Sequence, residues 1–301
     1  MKIGLMSGAE GGAGSIDALV EDARSAESQG FDSFWLANIF GFDAITAQAL
    51  VGRETQRIQL GTAVVPSYPR HPVAIAQQAL TPASASGGRF RLGIGLSHKI
   101  VIEDMFGFSY DKPASHMREY LSVLAPLLRG EPAKFAGEQY RVNAGLSVPG
   151  AGPVPLLVAA LGPVMLRLTG ELADGTITWM TGVKTLGAHI VPSLRAAAEA
   201  AGRPEPQVVA GLPVELSDDP DGTLAHMDEA FAMYPTLPSY KAMLDREGVT
   251  RPSEIALVGD EAALRDKLAG LASAGVTDLI AAVGRGKDGS GARTREFLAS
   301  F

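Results

Sequence analysis

Apolar residues along the chain come in short bursts, and the bursts follow two rhythms. Runs of about four to eight apolar residues between turn signals fit strands buried on both faces, whereas apolar positions three and four apart mark helices. The first burst, Lys2–Ser7 (KIGLMS), reads as a strand. A glycine-rich loop, Gly8–Gly14, leads to Ser15, a helix-capping residue. Leu19, Val20 and Ala23 continue at helical spacing to about Gln29, where Gly30 is the stop signal. Phe31–Leu36 (FDSFWL) is the second strand, Asp43–Thr55 the second helix and Ile58–Val65 (IQLGTAVV) the third strand. Pro72 suits the first turn of a helix over Val73–Ala85, and Gly87-Gly88 turns the chain into the fourth strand, Phe90–Ile94. The alternation resumes with strand Val154–Ala160, helix Pro163–Leu172, strand Gly175–Trp179, helix Leu186–Ala201 and strand Gln207–Val214. Helices at about Gly222–Met233 and Ala262–Ala274 precede the last strand, Asp278–Val283.

Strands and helices in strict alternation predict a parallel sheet covered by helices, and eight strands favour closure into a (β/α)8 TIM barrel, an α/β fold. Residues 1–301 read as one domain, with no linker, charge block or internal repeat. Two segments exceed a minimal barrel. Ile100–Gly152 follows strand four and contains a helix at Ala114–Leu128, and Ala230–Ser253 follows strand seven and is rich in Met, Tyr and Pro. Long insertions after strand ends are usual sites for pockets and lids, or else packing cover.

Composition narrows the chemistry by exclusion. The 301 residues carry a net charge of −7, so neither nucleic acid nor an anionic membrane is an expected partner. There is no cysteine, which removes disulfides and thiolate catalysis. The N-terminal MKIGLMSG lacks a signal-peptide core and no apolar run is long enough to span a membrane, so a cytoplasmic protein is expected. The histidines His71, His98, His116, His189 and His226 show no metal-binding spacing, and no metal site is expected. Neither a GxSxG elbow nor a phosphate loop of the GxxxxGK[ST] type is present, and GIGLSH at strand four carries only the first two glycines of a GxGxxG.

What remains is a set of small or neutral residues at successive strand exits: Asn38, Ala63-Val64, Gly95–His98 and Ala159–Pro163. Ala159–Pro163 opens directly into a helix, where free backbone N–H groups favour an anion; a tight turn with Pro163 at the first helical position is the plainer reading. Together they describe a flat, backbone-lined slot suited to a planar aromatic cofactor with a phosphate tail. The glycines of strand four, Gly93 and Gly95, read as clearance for that ring and phosphate. His116, Tyr120 and Leu124 form a stripe best read as packing with a polar edge, and Phe106, Phe108 and Tyr110 read as core. Arg70-His71 reads as a solvated loop, or else as lining of the slot, and His189 and His226 as surface residues.

Six stretches carry a family resemblance: GFDSFWLANIFGFDA (Gly30–Ala44), RIQLGTAVVPSYPRHP (Arg57–Pro72), GGRFRLGIGLSH (Gly87–His98), HMREYLSVLAPLLRGE (His116–Glu131), LLVAALGP (Leu156–Pro163) and GELADGTITWMTG (Gly170–Gly182). In these the chain resembles the luciferase-like monooxygenase superfamily, and within it the actinobacterial branch dependent on coenzyme F420, a deazaflavin. The resemblance implies a hydride transfer between F420 and a small, largely apolar substrate, in a homodimer. It implies a non-proline cis peptide at Ala63-Val64 under the ring, Asn38 on the ring's pyrimidine side, and the phosphate near Leu96-Ser97 and Leu161-Gly162, with Gly95, Ala160 and Pro163 also among the cofactor-binding residues. An FMN-dependent monooxygenase and a non-catalytic cofactor-binding barrel are the alternatives. Two departures separate the chain from the sugar-phosphate dehydrogenases of that branch: Asn38-Ile39 replaces an Asp-His pair, and His98 stands in place of a Glu. His98 is then the candidate proton donor, or else a structural hydrogen bonder to a strand-end carbonyl. Trp179 is a candidate substrate-pocket wall, or else packing at the barrel mouth.

Overall fold

A computed structural model describes residues 1–8, 13–284 and 289–301, so that part of the Gly8–Gly14 loop lies outside the described residues. Among these residues eight parallel strands form a closed ring. They are β1 (Lys2–Ser7), β2 (Ser33–Leu36), β3 (Gln59–Thr62), β4 (Phe90–Gly95), β5 (Leu156–Val158), β6 (Gly175–Trp179), β7 (Gln207–Leu216) and β8 (Asp278–Ala282). Each pairs with its neighbour in chain order. The ring closes between β8 and β1, with Lys2 opposite Asp278 and Leu5 opposite Ala281. The expected barrel is present, wrapped by α1 (Ile16–Gln29), α2 (Ala44–Glu54), α3 (Pro72–Ala85), α4 (Pro113–Leu128), α5 (Pro163–Leu172), α6 (Val191–Ala200), α7 (Pro220–Ala230), α8 (Pro238–Glu247), α9 (Glu261–Ser273) and α10 (Ser290–Ala299).

Local signals set the helix ends. The Ser15 hydroxyl accepts the Ala18 N–H and Gly30 closes α1 in the left-handed region, while the Asp43 carboxylate caps α2 through the Thr46 N–H. The seventh helix begins at Pro220, capped by Asp219, and stops at Ala230 rather than Met233. Helix Leu186–Ala201 divides instead into a turn at Val183–Thr185, a π-helical turn at Leu186–Ile190, and α6. Another π-helical turn, Val101–Met105, follows His98. The sequence pattern foresees neither α10 nor the short strand Leu257–Gly259, which pairs with the overhanging end of β7.

Three apolar clusters form among the described residues. One lies between the ring and its helices; a second fills the barrel with Met6, Trp35, Leu157, Ile177, Val209 and Ile280; a third gathers Met180, Met227, Phe231, Leu244 and Val258. Toward the amino ends of the strands the filling turns polar. Arg91 of β4 lies over the Trp35 ring, 4.7 Å from its centroid, and its Nη1 donates to Asp278 Oδ1 across the barrel at 3.0 Å.

The insertion after β4 comprises α4 and a hairpin, Ala133–Ala136 with Arg141–Ala144. The buried Glu119 carboxylate fastens the hairpin's loop to α4 by accepting the N–H groups of Glu138, Gln139 and Tyr140. The insertion after β7 brings Met233 and Tyr234 and, from the start of α8, Ser239 and Tyr240 to the mouth of the barrel.

Candidate active site

The carboxyl ends of the strands open into a cavity of about 770 Å³. Its floor is apolar: Met6, Ala63, Val64, Ala159, Ile177 and Ile280. Ala63 and Val64 come from a break in the third strand, which is expected to run unbroken from Ile58 to Val65. The strand stops at Thr62, passes through a cis peptide at Ala63-Val64, as the family resemblance implies, and resumes at Val65–Pro66 against β4. The Thr62 hydroxyl bridges the gap, accepting the Gly93 N–H at 2.9 Å and donating to the Gly93 carbonyl at 2.8 Å.

This break corrects the reading of the strand-four glycines. A Cβ at Gly93 would lie 2.0 Å from the Thr62 carbonyl oxygen, and one at Gly95 would lie 2.9 Å from Val64 Cγ2. At Gly93 the clearance is filled by the bulge of β3, not left for a ring or phosphate, whereas Gly95 lines the cavity. Because the clash at Gly93 is with backbone, Gly93→Ala is expected to destabilise the protein by about 1–3 kcal/mol through overpacking. Urea unfolding checks this; an unchanged midpoint would mean that the bulge does not need the room.

Asn38, Ala63, Val64, Gly95, Leu96, Ser97, His98, Leu161, Gly162 and Trp179 all line the cavity, so the sequence-predicted residues largely converge. Ala160 and Pro163 do not. Ala160 is buried behind the wall, where its carbonyl accepts a hydrogen bond from Thr176 Oγ1, and Pro163 opens α5 facing solvent. Asn38 Oδ1 accepts the Ala44 N–H at 3.0 Å, which pins the loop after β2 onto the first turn of α2.

Ser97 sits at φ +61°, and its carbonyl accepts the Tyr110 hydroxyl at 3.2 Å. Tyr110 lines the cavity with Phe106, while Phe106 and Phe108 are 41% and 46% exposed. The expected aromatic core is therefore a rim, carried outward by the π-helical turn after His98. The His98 ring is half-buried and meets no hydrogen-bond partner among the described residues; it stands 5.7 Å from the Tyr240 ring. The structural alternative, a bond to a strand-end carbonyl, is absent among the described residues. Burial pulls the His98 pKa below its ordinary value.

A roof of aromatic side chains spans the mouth from β6 to His98. Trp179 packs edge-on against Phe231 at 5.9 Å and near Tyr234 at 6.3 Å, and Tyr234 meets Tyr240 edge-on at 4.9 Å. Tyr234, Ser239 and Tyr240 line the cavity but carry no spacing that singles them out; the tyrosine-rich insertion after β7 is their only trace in the sequence. Asp43 and Arg70 also line it and neutralise each other, with Arg70 Nη2 on Asp43 Oδ2 at 2.6 Å. Arg70 is thus part of the wall, not a solvated loop, whereas His71 is exposed and caps α3.

Of the remaining histidines, His116 is buried against Ser67 at 2.9 Å and stacked on Tyr68, so its stripe with Tyr120 and Leu124 is packing as read. His226 is exposed. His189, expected at the surface, instead donates from Nε2 to the Leu161 carbonyl at 2.8 Å. No helix among the described residues is long and apolar enough to cross a membrane.

Residues 1–278 match the family model for luciferase-like monooxygenases. The chain is 32% identical over 259 residues to an F420-dependent glucose-6-phosphate dehydrogenase of Nakamurella multipartita, covering 81% of this chain and 75% of that one. Other curated relatives are spanned over about half their own length, 54% and 46% in two cases. In fold it is similar to the coenzyme F420-dependent tetrahydromethanopterin reductase of Methanopyrus kandleri, with a TM-score of 0.80, 22% identity and coverage of 99% and 96% of the two chains. An F420-dependent secondary alcohol dehydrogenase in complex with an F420-acetone adduct gives the same TM-score of 0.80 at 17% identity, over 99% and 97%. With a family match over nearly its whole length and the barrel, strand break and mouth cavity in place, the chain belongs to the luciferase-like monooxygenase family.

Proposed function

We propose that the chain is an oxidoreductase dependent on coenzyme F420 that reduces a small, neutral, largely apolar organic substrate. The observation that carries this reading is the charge balance of the cavity. Among its described lining residues the only permanently charged side chains are Asp43 and Arg70, and each is taken up by the other. A sugar phosphate would leave its charge unmatched there, whereas a neutral substrate needs no counter-ion. Ile39 and Phe40, exposed at the rim by 55% and 66%, extend the apolar surface outward. The relatives named for F420 favour the deazaflavin over FMN.

The residues present fit such a cofactor. The floor of Ala63, Val64 and Ala159 is small and apolar, as a flat ring requires. At Gly162 an added Cβ would meet nothing within 4 Å, so the backbone at the start of α5 is open to an anion. When bound, the deazaflavin supplies the hydride-carrying carbon; the protein supplies orientation, dryness and a proton. Asn38, held by the Ala44 N–H, keeps its amide NH2 for the ring's polar edge. The roof of Trp179, Tyr234 and Tyr240 excludes water, and His98 delivers the proton to the reduced substrate.

Titrating the purified protein with F420 and with FMN, followed by absorbance and fluorescence, tests the assignment. Saturable binding of F420, and turnover of neutral carbonyl and alkene compounds but not of sugar phosphates, is the expected result. Tight binding of FMN without binding of F420 would reverse it.

A further inference from the structure

His189 bears on the cavity without touching it. It lies in the π-helical turn Leu186–Ile190, a conformation that inserts an extra residue into the helix and recurs at functional positions. From there its Nε2–H bonds the carbonyl of Leu161 at 2.8 Å. The Leu161-Gly162 peptide is trans, and across a planar trans peptide the carbonyl and the following N–H point in opposite directions. A carbonyl held by His189 therefore turns the Gly162 N–H away from His189. That N–H has no acceptor among the described residues, and Leu161 and Gly162 both line the cavity.

The loop after β4 is braced in the same manner. There the Tyr110 hydroxyl takes the Ser97 carbonyl at 3.2 Å, and the next N–H, that of His98, likewise has no acceptor among the described residues. Both loops to which the family resemblance assigns the phosphate thus have a carbonyl tied back by a side chain from a neighbouring element.

We propose that His189 is a positioning residue for the cofactor's phosphate, acting through the Leu161 carbonyl to hold the Gly162 N–H toward the anion. This rests on the reading above that the Leu161–Gly162 turn receives the phosphate of F420. A backbone N–H fixed in advance binds an anion without first being ordered, so the benefit falls on the phosphate-bearing end and not on the ring.

The test uses the full chain and two fluorescent ligands, F420 and its phosphate-free deazaflavin core. His189→Ala is expected to weaken F420 binding about tenfold, the effect of losing roughly one hydrogen bond's worth of order, and to leave the phosphate-free core essentially unchanged. His189→Gln, whose amide N–H reaches the same carbonyl, is expected to restore most of the loss. His189→Leu keeps the bulk without the donor and repeats the Ala result, so the comparison stands even if the Ala variant fails to fold. Equal weakening of both ligands, or no weakening of either, overturns the proposal. If the unmutated protein binds both ligands equally, the phosphate assignment falls and the role of His189 falls with it; that outcome is read before any mutation is made.

Discussion

Asp278→Ala is expected to lower the unfolding free energy by about 3–5 kcal/mol, the usual effect of removing one partner from a buried ion pair. Asp278 and Arg91 are 5% and 7% exposed and meet at 3.0 Å inside the barrel. The guanidinium has little else to hold: Nη1 also reaches Gln207 Oε1 at 3.3 Å, while Nε and Nη2 have no hydrogen-bond partner among the described residues. Without the carboxylate a cation is left in an apolar interior over the Trp35 ring, which relieves only a small part of its lost hydration. Removing both charges, as in Arg91→Met with Asp278→Leu, is expected to cost less than Asp278→Ala alone, because the burial of charge disappears with the pair. Urea unfolding of the three proteins decides the matter. A loss below about 1 kcal/mol for Asp278→Ala would show that water already compensates the arginine.

His98→Ala is expected to reduce turnover by about 10²–10⁴-fold, the range for losing a positioned general acid, while F420 affinity stays near that of the parent. Burial lowers the His98 pKa from the ordinary 6.5, so the neutral imidazole gains at the expense of the imidazolium. In the reducing direction the protonated ring is the donor. Its fraction falls as pH rises through the lowered pKa, so the rate is expected to decline with pH along a limb centred below 6.5. In the oxidising direction the neutral ring is the acceptor, and the rate is expected to rise through the same interval. His98→Gln should abolish both limbs. Near-normal turnover in His98→Ala, with its pH limbs intact, would sink the proton-carrier role.

The barrel is legible because its strands and helices obey separate periodicities, and because Ser15, Gly30 and Asp43 mark helix ends by local chemistry. The site is legible only where strand exits carry small residues. What escapes is whatever depends on two distant segments at once. Gly93 looks like room for a ligand until the Thr62 carbonyl is seen to fill it. Phe106 and Phe108 look like core because apolar aromatics usually are, but a π-helical turn, which leaves no mark in the hydrophobic pattern, puts them on the rim. His189 sits among ordinary helical residues, and only the packing of its helix against α5 reveals the bond to Leu161. Tyr234 and Tyr240 become a roof through an insertion whose path the pattern does not constrain.

The closure of the ring between β1 and β8 has a consequence for how the protein is made. Lys2 and Asp278 are neighbours in the sheet and almost the whole chain apart in sequence. At a ribosomal pace of about 5–20 residues per second, β8 emerges roughly 15–55 s after β1. Through that interval one edge of β1, an apolar strand whose interior residues are buried in the finished barrel, has no partner strand. Closed barrels abolish sheet edges, but only once the last strand arrives. The nascent chain therefore passes through a long open-edged stage in which a pairing partner from another chain competes with β8, and its yield is expected to depend on chaperones and crowding more than the stability of the finished barrel implies.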